Sequence, residues 1–74
     1  MAWTVNAAWD DEARVWYVQD SNVPGLATGA DTFEALIEKL KIVIPELLAE
    51  NGLTPSADVS FSVKAERLEL AHVV

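Results

Sequence analysis

Apolar residues recur every three or four positions along one stretch of the chain, from Asp31 to Gly52. At 100° per residue these side chains fall within a stripe of roughly 140°, with the charged residues outside it. The stripe contains Phe33, Leu36, Ile37, Leu40, Val43, Ile44, Leu47 and Leu48. The pattern predicts one long amphipathic helix, which must pack its apolar side on another element.

Polar residues and a glycine mark the two ends of the predicted helix. Asp31 can cap its N-terminus, with Glu34 reaching back, and Thr32 is an equally plausible cap. Gly52 suits the left-handed position that follows a helix. Pro45 removes one internal hydrogen bond on the polar side of the helix. The pattern leaves open whether the helix bends or breaks there.

The rest of the sequence is typical of strands joined by short turns. Alternation of apolar and polar residues, or runs of β-branched and aromatic residues, predict four strands. They cover residues 3–9, 14–19, 26–30 and 58–66, with turns at 10–13 and 20–25. The second strand has apolar residues at both parities, which favours a central strand covered on both faces. The element order is β-β-β-α-β, an α+β arrangement.

The apolar positions change parity near the C-terminus. Val63 and Ala65 occupy odd positions, whereas the later apolar residues Leu68 and Leu70 occupy even ones. Either a bulge near Arg67 resets the strand, or the tail leaves the sheet and packs elsewhere, including on another subunit.

A chain of 74 residues forms one small domain, for which only about 60% of the unfolded surface can be buried. Surfaces shared between subunits are therefore expected, most simply in a homodimer. A helix of roughly 30 Å is longer than a six-residue strand of about 20 Å, so its stripe is expected to overhang the sheet. Candidate oligomer contacts are Ile42, Leu68 and Leu70, although Ile42 also fits a harmless surface aliphatic.

Charge and composition narrow the classes of partner. The chain has 12 acidic and five basic residues, a net charge of −7, and no cysteine. Direct nucleic-acid binding is disfavoured, because phosphate backbones attract clustered lysine and arginine. A basic protein partner is the natural expectation, and acidity that only maintains solubility is the alternative. Neither a signal peptide nor a bilayer-spanning apolar run is visible, which fits a cytoplasmic protein and no membrane contact.

Few residues offer catalytic or metal-binding chemistry. The acidic run Asp10-Asp11-Glu12 has carboxylates, but it lacks the ligand spacing of a calcium loop, which favours a solvated turn. His72 has no cysteine or second histidine beside it for a transition-metal site. Trp3, Trp9 and Trp16 fit a core or an interface better than base stacking, since stacking platforms are basic. These residues predict no catalytic site, no metal and no cofactor.

Several motifs together resemble one family. They are W-D-D-E-A-R-V-W (residues 9–16), V-P-G-L (23–26), A-D-T-F-E-A-L (30–36) and I-P-E-L-L-A-E-N-G (44–52). Their order is similar to that of the HicB-like antitoxin family, and closest to its short single-domain branch of unknown function. The resemblance implies a partial ribonuclease-H-like fold, with the fourth strand beside the first. We therefore expect the sheet order 3-2-1-4, covered on one face by the helix.

The resemblance also implies a function and a domain organisation. Family members bind a small basic toxin that cleaves messenger RNA, and mask it. Longer members add a C-terminal DNA-binding domain, for which residues 1–74 leave no room, so we expect a single HicB-like domain. Nuclease activity is not expected, because the first strand carries Asn6 where ribonuclease-H chemistry requires a carboxylate.

Three hypotheses for function follow. The first is a non-catalytic binding module of the antitoxin type. Its candidate charged contacts are Asp10, Asp11, Glu12 and Asp20, on turns at the ends of the sheet. The second is a standalone homo-oligomer with a structural or regulatory role and no toxin partner. The third is a small-ligand binder that uses a groove between subunits.

Overall fold

The first two strands form an antiparallel hairpin. The computed structural model describes residues 2–53, 55 and 57–73. In it β1 spans Trp3–Asp10 and β2 spans Val15–Ser21, with Trp9 opposite Trp16 and Val5 opposite Ser21. Asn6 pairs with Asp20 and the next residue of β1 pairs with Val18, so Gln19 is an extra residue of β2. This is a β-bulge, which bends the strand and increases its twist.

The third strand is much shorter than predicted. β3 contains only Gly29–Ala30, because the segment before it turns back on itself and the amide of Leu26 donates to the carbonyl of Val23. Gly29 lies tight against β2, where an added Cβ would be 2.8 Å from the carbonyl oxygen of Trp16. The strand predicted for residues 26–30 is therefore wrong in length, and its glycine is needed for the close approach.

The predicted helix is confirmed as one continuous element. α1 spans Phe33–Glu50, and the side chain of Thr32 accepts from the amide of Ala35, so the cap is Thr32 and not Asp31. At the other end Gly52 has φ +75, and the amide of Leu53 donates to the carbonyl of Leu48 at 2.8 Å. These features define a Schellman motif.

Pro45 does not break the helix. It lies inside α1, which continues for five residues beyond it. Although it lies on the polar side of the helix, Pro45 is half-buried and lines a groove together with Val59 and Phe61. Packing of this kind helps to offset the lost backbone hydrogen bond.

The last strand completes a mixed sheet. β4 spans Phe61–Glu66 and runs parallel to β1, with Val63 opposite Val5. The order is β3-β2-β1-β4, which confirms the expected α+β arrangement of one four-stranded sheet and one helix. β4 begins later than predicted, since residues 58–60 are outside the strand.

The core lies between α1 and one face of the sheet. Its buried side chains are Val5, Ala7, Val23, Ala30, Leu36, Leu40, Ile44 and Leu48. The end of α1 that was expected to overhang the sheet is covered, because Leu48 is 2% exposed and Val23, from the loop before β3, belongs to the same cluster. Gly25 of that loop also lies near Leu47. The loop therefore covers the end of the helix that the short strands do not reach.

The other face of the sheet is open to solvent in the single chain. Tyr17 is 37% exposed on this face, and Asn6, Gln19 and Ser62 are exposed as well. The expectation that β2 is covered on both faces is therefore wrong for one copy, although its place between two other strands is confirmed. Mixed and antiparallel sheets commonly leave one face to water.

Candidate interaction surfaces

The acidic turn between β1 and β2 is built around Asp10. One of its carboxylate oxygens accepts from the amides of Glu12 at 3.0 Å and Ala13 at 3.1 Å, and the amide of Arg14 donates to its carbonyl at 2.8 Å. A short side chain that satisfies backbone amides in this way fixes a turn. Arg14 itself has φ 60, an uncommon value for a residue with a side chain. Asp10 is therefore engaged in shaping the turn.

We predict that Asp10→Ala lowers the free energy of unfolding by about 1 kcal/mol, the typical loss when a capping oxygen is removed. Asp10→Asn keeps the acceptor and removes the charge, so it should stay close to the unsubstituted protein. Urea unfolding monitored by tryptophan fluorescence measures both variants. Equal losses for the two would show that the charge of Asp10, and not its hydrogen bonds, stabilises the turn.

Asp11 makes contacts of a different kind. Its carboxylate accepts from the guanidinium of Arg14 at 2.9 Å and from the indole nitrogen of Trp9 at 3.2 Å. Both charged side chains are more than half exposed, so this pair contributes little to stability. Glu12 is exposed at the tip of the same turn. Asp11 and Glu12 thus present negative charge to solvent at this end of the sheet.

The structure separates Asp20 from the other three candidates. Asp20 was predicted to lie in a turn, but it lies within β2, opposite Asn6. It lies on the open face in a shallow cleft whose lining includes Gln19, Lys64 and Glu66. The four predicted contact residues therefore form two groups, with Asp10, Asp11 and Glu12 at the hairpin turn and Asp20 nearer the opposite end of β2.

Trp9 lies at the hairpin end of the sheet and links several side chains there. Its ring centroid is 5.4 Å from that of Trp16, which in turn is 5.6 Å from Phe33. The guanidinium groups of Arg14 and Arg67 lie over the Trp9 ring, at 5.2 Å and 4.3 Å from its centroid. Such cation–π contacts are favourable. The prediction that tryptophans on neighbouring strands belong to a core or interface agrees with Trp3 and Trp16 packing on the core.

The candidate oligomer contacts lie in two places. Ile42 is 65% exposed on the side of α1 that faces away from the sheet, between the buried residues Leu40 and Ile44. Leu68 and Leu70 belong to residues 67–73, which we call the C-terminal arm. Their side chains are 88% and 85% exposed, respectively. Of the two alternatives for the change of parity, the structure shows the tail leaving the sheet after Glu66.

A groove that the sequence did not predict runs between α1 and β4. We call it the α1–β4 groove, and its lining includes Phe33, Ile37, Lys41, Val59, Phe61 and Val63. Most of its apolar members are half-buried and pack against the core. No local signal in the sequence predicts it, because Phe33 and Ile37 lie within the apolar stripe and only the extent of the sheet leaves them half-buried.

Neither a metal site nor a membrane span is found in the part of the chain that the structure describes. Over residues 2–53, 55 and 57–73, no three histidine, aspartate or glutamate side chains are grouped so that they could hold a metal ion. Over the same residues, no helix combines the length and the apolar character that crossing a membrane requires.

Comparison with known proteins places the chain in a family. Residues 2–73 match the family described as "Domain of unknown function (DUF1902)", and the chain belongs to it. A hypothetical protein, TTHA1013 from the extremely thermophilic bacterium Thermus thermophilus, has a similar crystal structure, with 38% identity and a TM-score of 0.63. The match covers 95% of this chain and 99% of that one. No curated protein matches significantly. The match confirms the expectation that the chain belongs to a family of unknown function.

Proposed function

We propose that the protein is a non-catalytic protein-binding module of the HicB type, which masks a small basic RNA-cleaving toxin. The observation that carries this proposal is the open face of the sheet, where Tyr17 is 37% exposed and the carboxylates of Asp20 and Glu66 lie beside a shallow cleft. The family resemblance supplies the nature of the partner. The net charge of −7 suits a basic protein.

Charge and aromatic contacts have different parts in this proposal. Acidic side chains such as Asp11, Glu12 and Asp20 raise the rate of encounter with a basic partner, since complementary potentials steer association. Tyr17 supplies affinity once water is excluded, because tyrosine is enriched among the residues that dominate interface energies. RNA is repelled by the same negative surface, so a partner held here is shielded from its substrate.

The proposal assigns no catalytic step to the chain. The carboxylate of Asp10 is engaged by two backbone amides, and that of Asp11 by Arg14 and Trp9. These hydrogen bonds give Asp10 and Asp11 a structural role in the turn. RNA incubated with the purified protein and magnesium should remain intact. Cleavage that disappears when Asp10, Asp11 and Glu12 are all replaced by alanine would contradict this assignment.

The proposal predicts that a small basic protein is encoded beside this chain in its native host, and binding to that protein is the test. We predict that Asp20→Lys lowers the affinity at least about tenfold and slows association, because it places like charge in the contact. Glu46→Lys is the matched control, since it makes the same charge change on an exposed position of the helix. Surface plasmon resonance at two salt concentrations measures both, and the difference should shrink at high salt.

Two results would contradict the binding proposal. One is an equal loss of affinity for Glu46→Lys, which would mean that only net charge matters. The other is a pull-down from the native host that recovers no basic protein, with unchanged growth after deletion of the gene.

The second candidate function is a standalone homo-oligomer, structural or regulatory, without a toxin partner. The exposure of Leu68 and Leu70 favours it, because soluble chains rarely leave neighbouring large apolar side chains uncovered. Light scattering at micromolar concentration tests it, since one copy has a mass of 8.1 kDa. A single species of 8.1 kDa would contradict self-association.

A further inference from the structure

The C-terminal arm carries apolar side chains that its own chain does not cover. Leu68 is 88% exposed, Leu70 is 85% exposed and Val73 is fully exposed. A charged residue, Glu69, separates the two leucines. This alternation has the period of a strand with one apolar face. The arm therefore has the pattern of a strand but no sheet of its own.

The overall dimensions show that the arm extends away from the body. The radius of gyration is 14.3 Å and the longest dimension is 55 Å, against 21 and 17 Å for the other two. A compact domain of this length would have a radius of gyration of about 11 Å. Seven extended residues, the length of the arm, span about 23 Å, which is longer than either of the two short dimensions.

The arm cannot easily fold back on its own sheet. It continues directly from β4, so pairing with β4 of the same chain would require a tight turn between Glu66 and Val73. The intervening residues, R-L-E-L-A-H, include no glycine, proline, asparagine or aspartate. Tight hairpin turns depend on those residues. This composition disfavours a hairpin with β4 of the same chain and favours a second chain as the partner of the arm.

The receiving surface is the outer edge of β4 together with the α1–β4 groove. β4 is the last strand in the sheet order, so within the described residues its second edge has no strand beside it. Such an edge presents unpaired amides and carbonyls to an added strand. Its six residues span about 20 Å, which matches the length of the arm.

We infer that two copies of this chain exchange their C-terminal arms, each arm adding an antiparallel strand to β4 of the other copy, with Leu70 at the end of its α1–β4 groove and Leu68 beside that groove over Ala65. The inference rests on the self-association proposed above and names its surface. The two contacts are equivalent, so the assembly closes as a two-fold dimer. It does not depend on a toxin partner.

Charge favours a second copy of this chain as the partner of the arm, and it favours one register of the two strands. When Leu70 lies opposite Val63 on the helix side, Glu69 lies opposite Lys64 on the other side of the sheet, because opposed residues of antiparallel strands share a face. In the same register Leu68 faces Ala65. The change of parity after Glu66 then has a physical reason, since the even-numbered leucines cover the odd-numbered apolar residues of the second copy.

Cysteine cross-linking tests the contact, because the chain has no cysteine of its own. Leu70→Cys in one preparation is mixed with Val63→Cys in a second, differently tagged one, and the mixture is oxidised. We expect a mixed disulfide between chains. Ser62→Cys is the matched control, since it lies one residue away on β4. It should cross-link at least about tenfold less, because its Cβ points to the opposite face of the sheet from that of Leu70. Equal yields for Val63→Cys and Ser62→Cys would overturn the proposed register and face.

Light scattering separates failure of this inference from failure of self-association. Unsubstituted protein should be a dimer of twice 8.1 kDa, and the double variant Leu68→Ser and Leu70→Ser should be a folded monomer by circular dichroism. Ile42→Ser, also an exposed aliphatic, should remain a dimer. A dimer that survives the double substitution would overturn the arm exchange and leave self-association standing. A monomer before any substitution would overturn both.

Discussion

Ile44→Ala is expected to lower the free energy of unfolding by about 2–5 kcal/mol, the range for large-to-small substitutions in a packed core. Ile44 is fully buried on α1, between Leu40 and Leu48, which are buried on the same stripe. The substitution removes apolar contacts and leaves a cavity that neighbouring helix turns cannot close. Small domains have a total stability of only about 5–15 kcal/mol, so much of the population is expected to unfold at moderate temperature.

Ile42→Ala is the matched control for this prediction. It makes the same chemical change on the same helix, but Ile42 is 65% exposed, so the expected effect is within about 0.5 kcal/mol. Urea unfolding of both variants, followed by tryptophan fluorescence, measures the difference. The titrations are repeated at two protein concentrations, because self-association would couple to stability. Equal losses for Ile42→Ala and Ile44→Ala would contradict the assigned core.

The helix and the last strand were predictable because their signals are local. The four residues that α1 buries most deeply recur every four positions, and that spacing is visible without any knowledge of the sheet. The apolar and polar alternation of residues 61–65 similarly fixes which face of β4 packs inward. Where one face is buried, periodicity alone assigns it.

The third strand could not be predicted in the same way. Leu26 and Ala27 have ordinary strand composition, but the chain before Gly29 turns so that Val23 can reach the core beside the end of α1. That requirement comes from the tertiary structure, and it overrides local propensity. The cap at Thr32 was one of two alternatives for a similar reason, because Asp31 and Thr32 both have suitable side chains and only the chain path selects between them.

The candidate surfaces were predictable only in part. Acidic residues in a turn indicate charge, yet the sequence does not show that Asp10 is engaged by amides while Glu12 is exposed. Asp20 was placed in a turn because it begins a run of turn-forming residues, whereas the bulge at Gln19 keeps it within β2. The parity change at Leu68 left two alternatives, a bulge and a tail that leaves the sheet, and only the structure selects the second. The groove beside β4 depends on how far the sheet extends, which no local pattern specifies.

Gly29→Ala is expected to destabilise the protein by about 1–3 kcal/mol, the usual cost of forcing a group into a packed site. The added Cβ would lie 2.8 Å from the carbonyl oxygen of Trp16, and that oxygen belongs to the backbone of β2, so it cannot move aside without disturbing the pairing with β3. The loss should be accompanied by faster hydrogen exchange at the amide of Val18, which donates to the carbonyl of Thr28 at 3.0 Å.

Gly52→Ala separates this steric effect from the conformational freedom of glycine. Gly52 has φ +75 and no atom within 4 Å of an added Cβ, so only the left-handed backbone penalises the substitution, by about 1 kcal/mol. Its effect should be confined to the end of α1 and leave exchange at Val18 unchanged. Native-state hydrogen exchange by NMR measures both variants at residue resolution. Equal protection of the Val18 amide in the Gly29→Ala and Gly52→Ala variants would contradict this explanation. It would mean that the pairing of β3 with β2 tolerates a side chain at position 29, despite the close approach to Trp16.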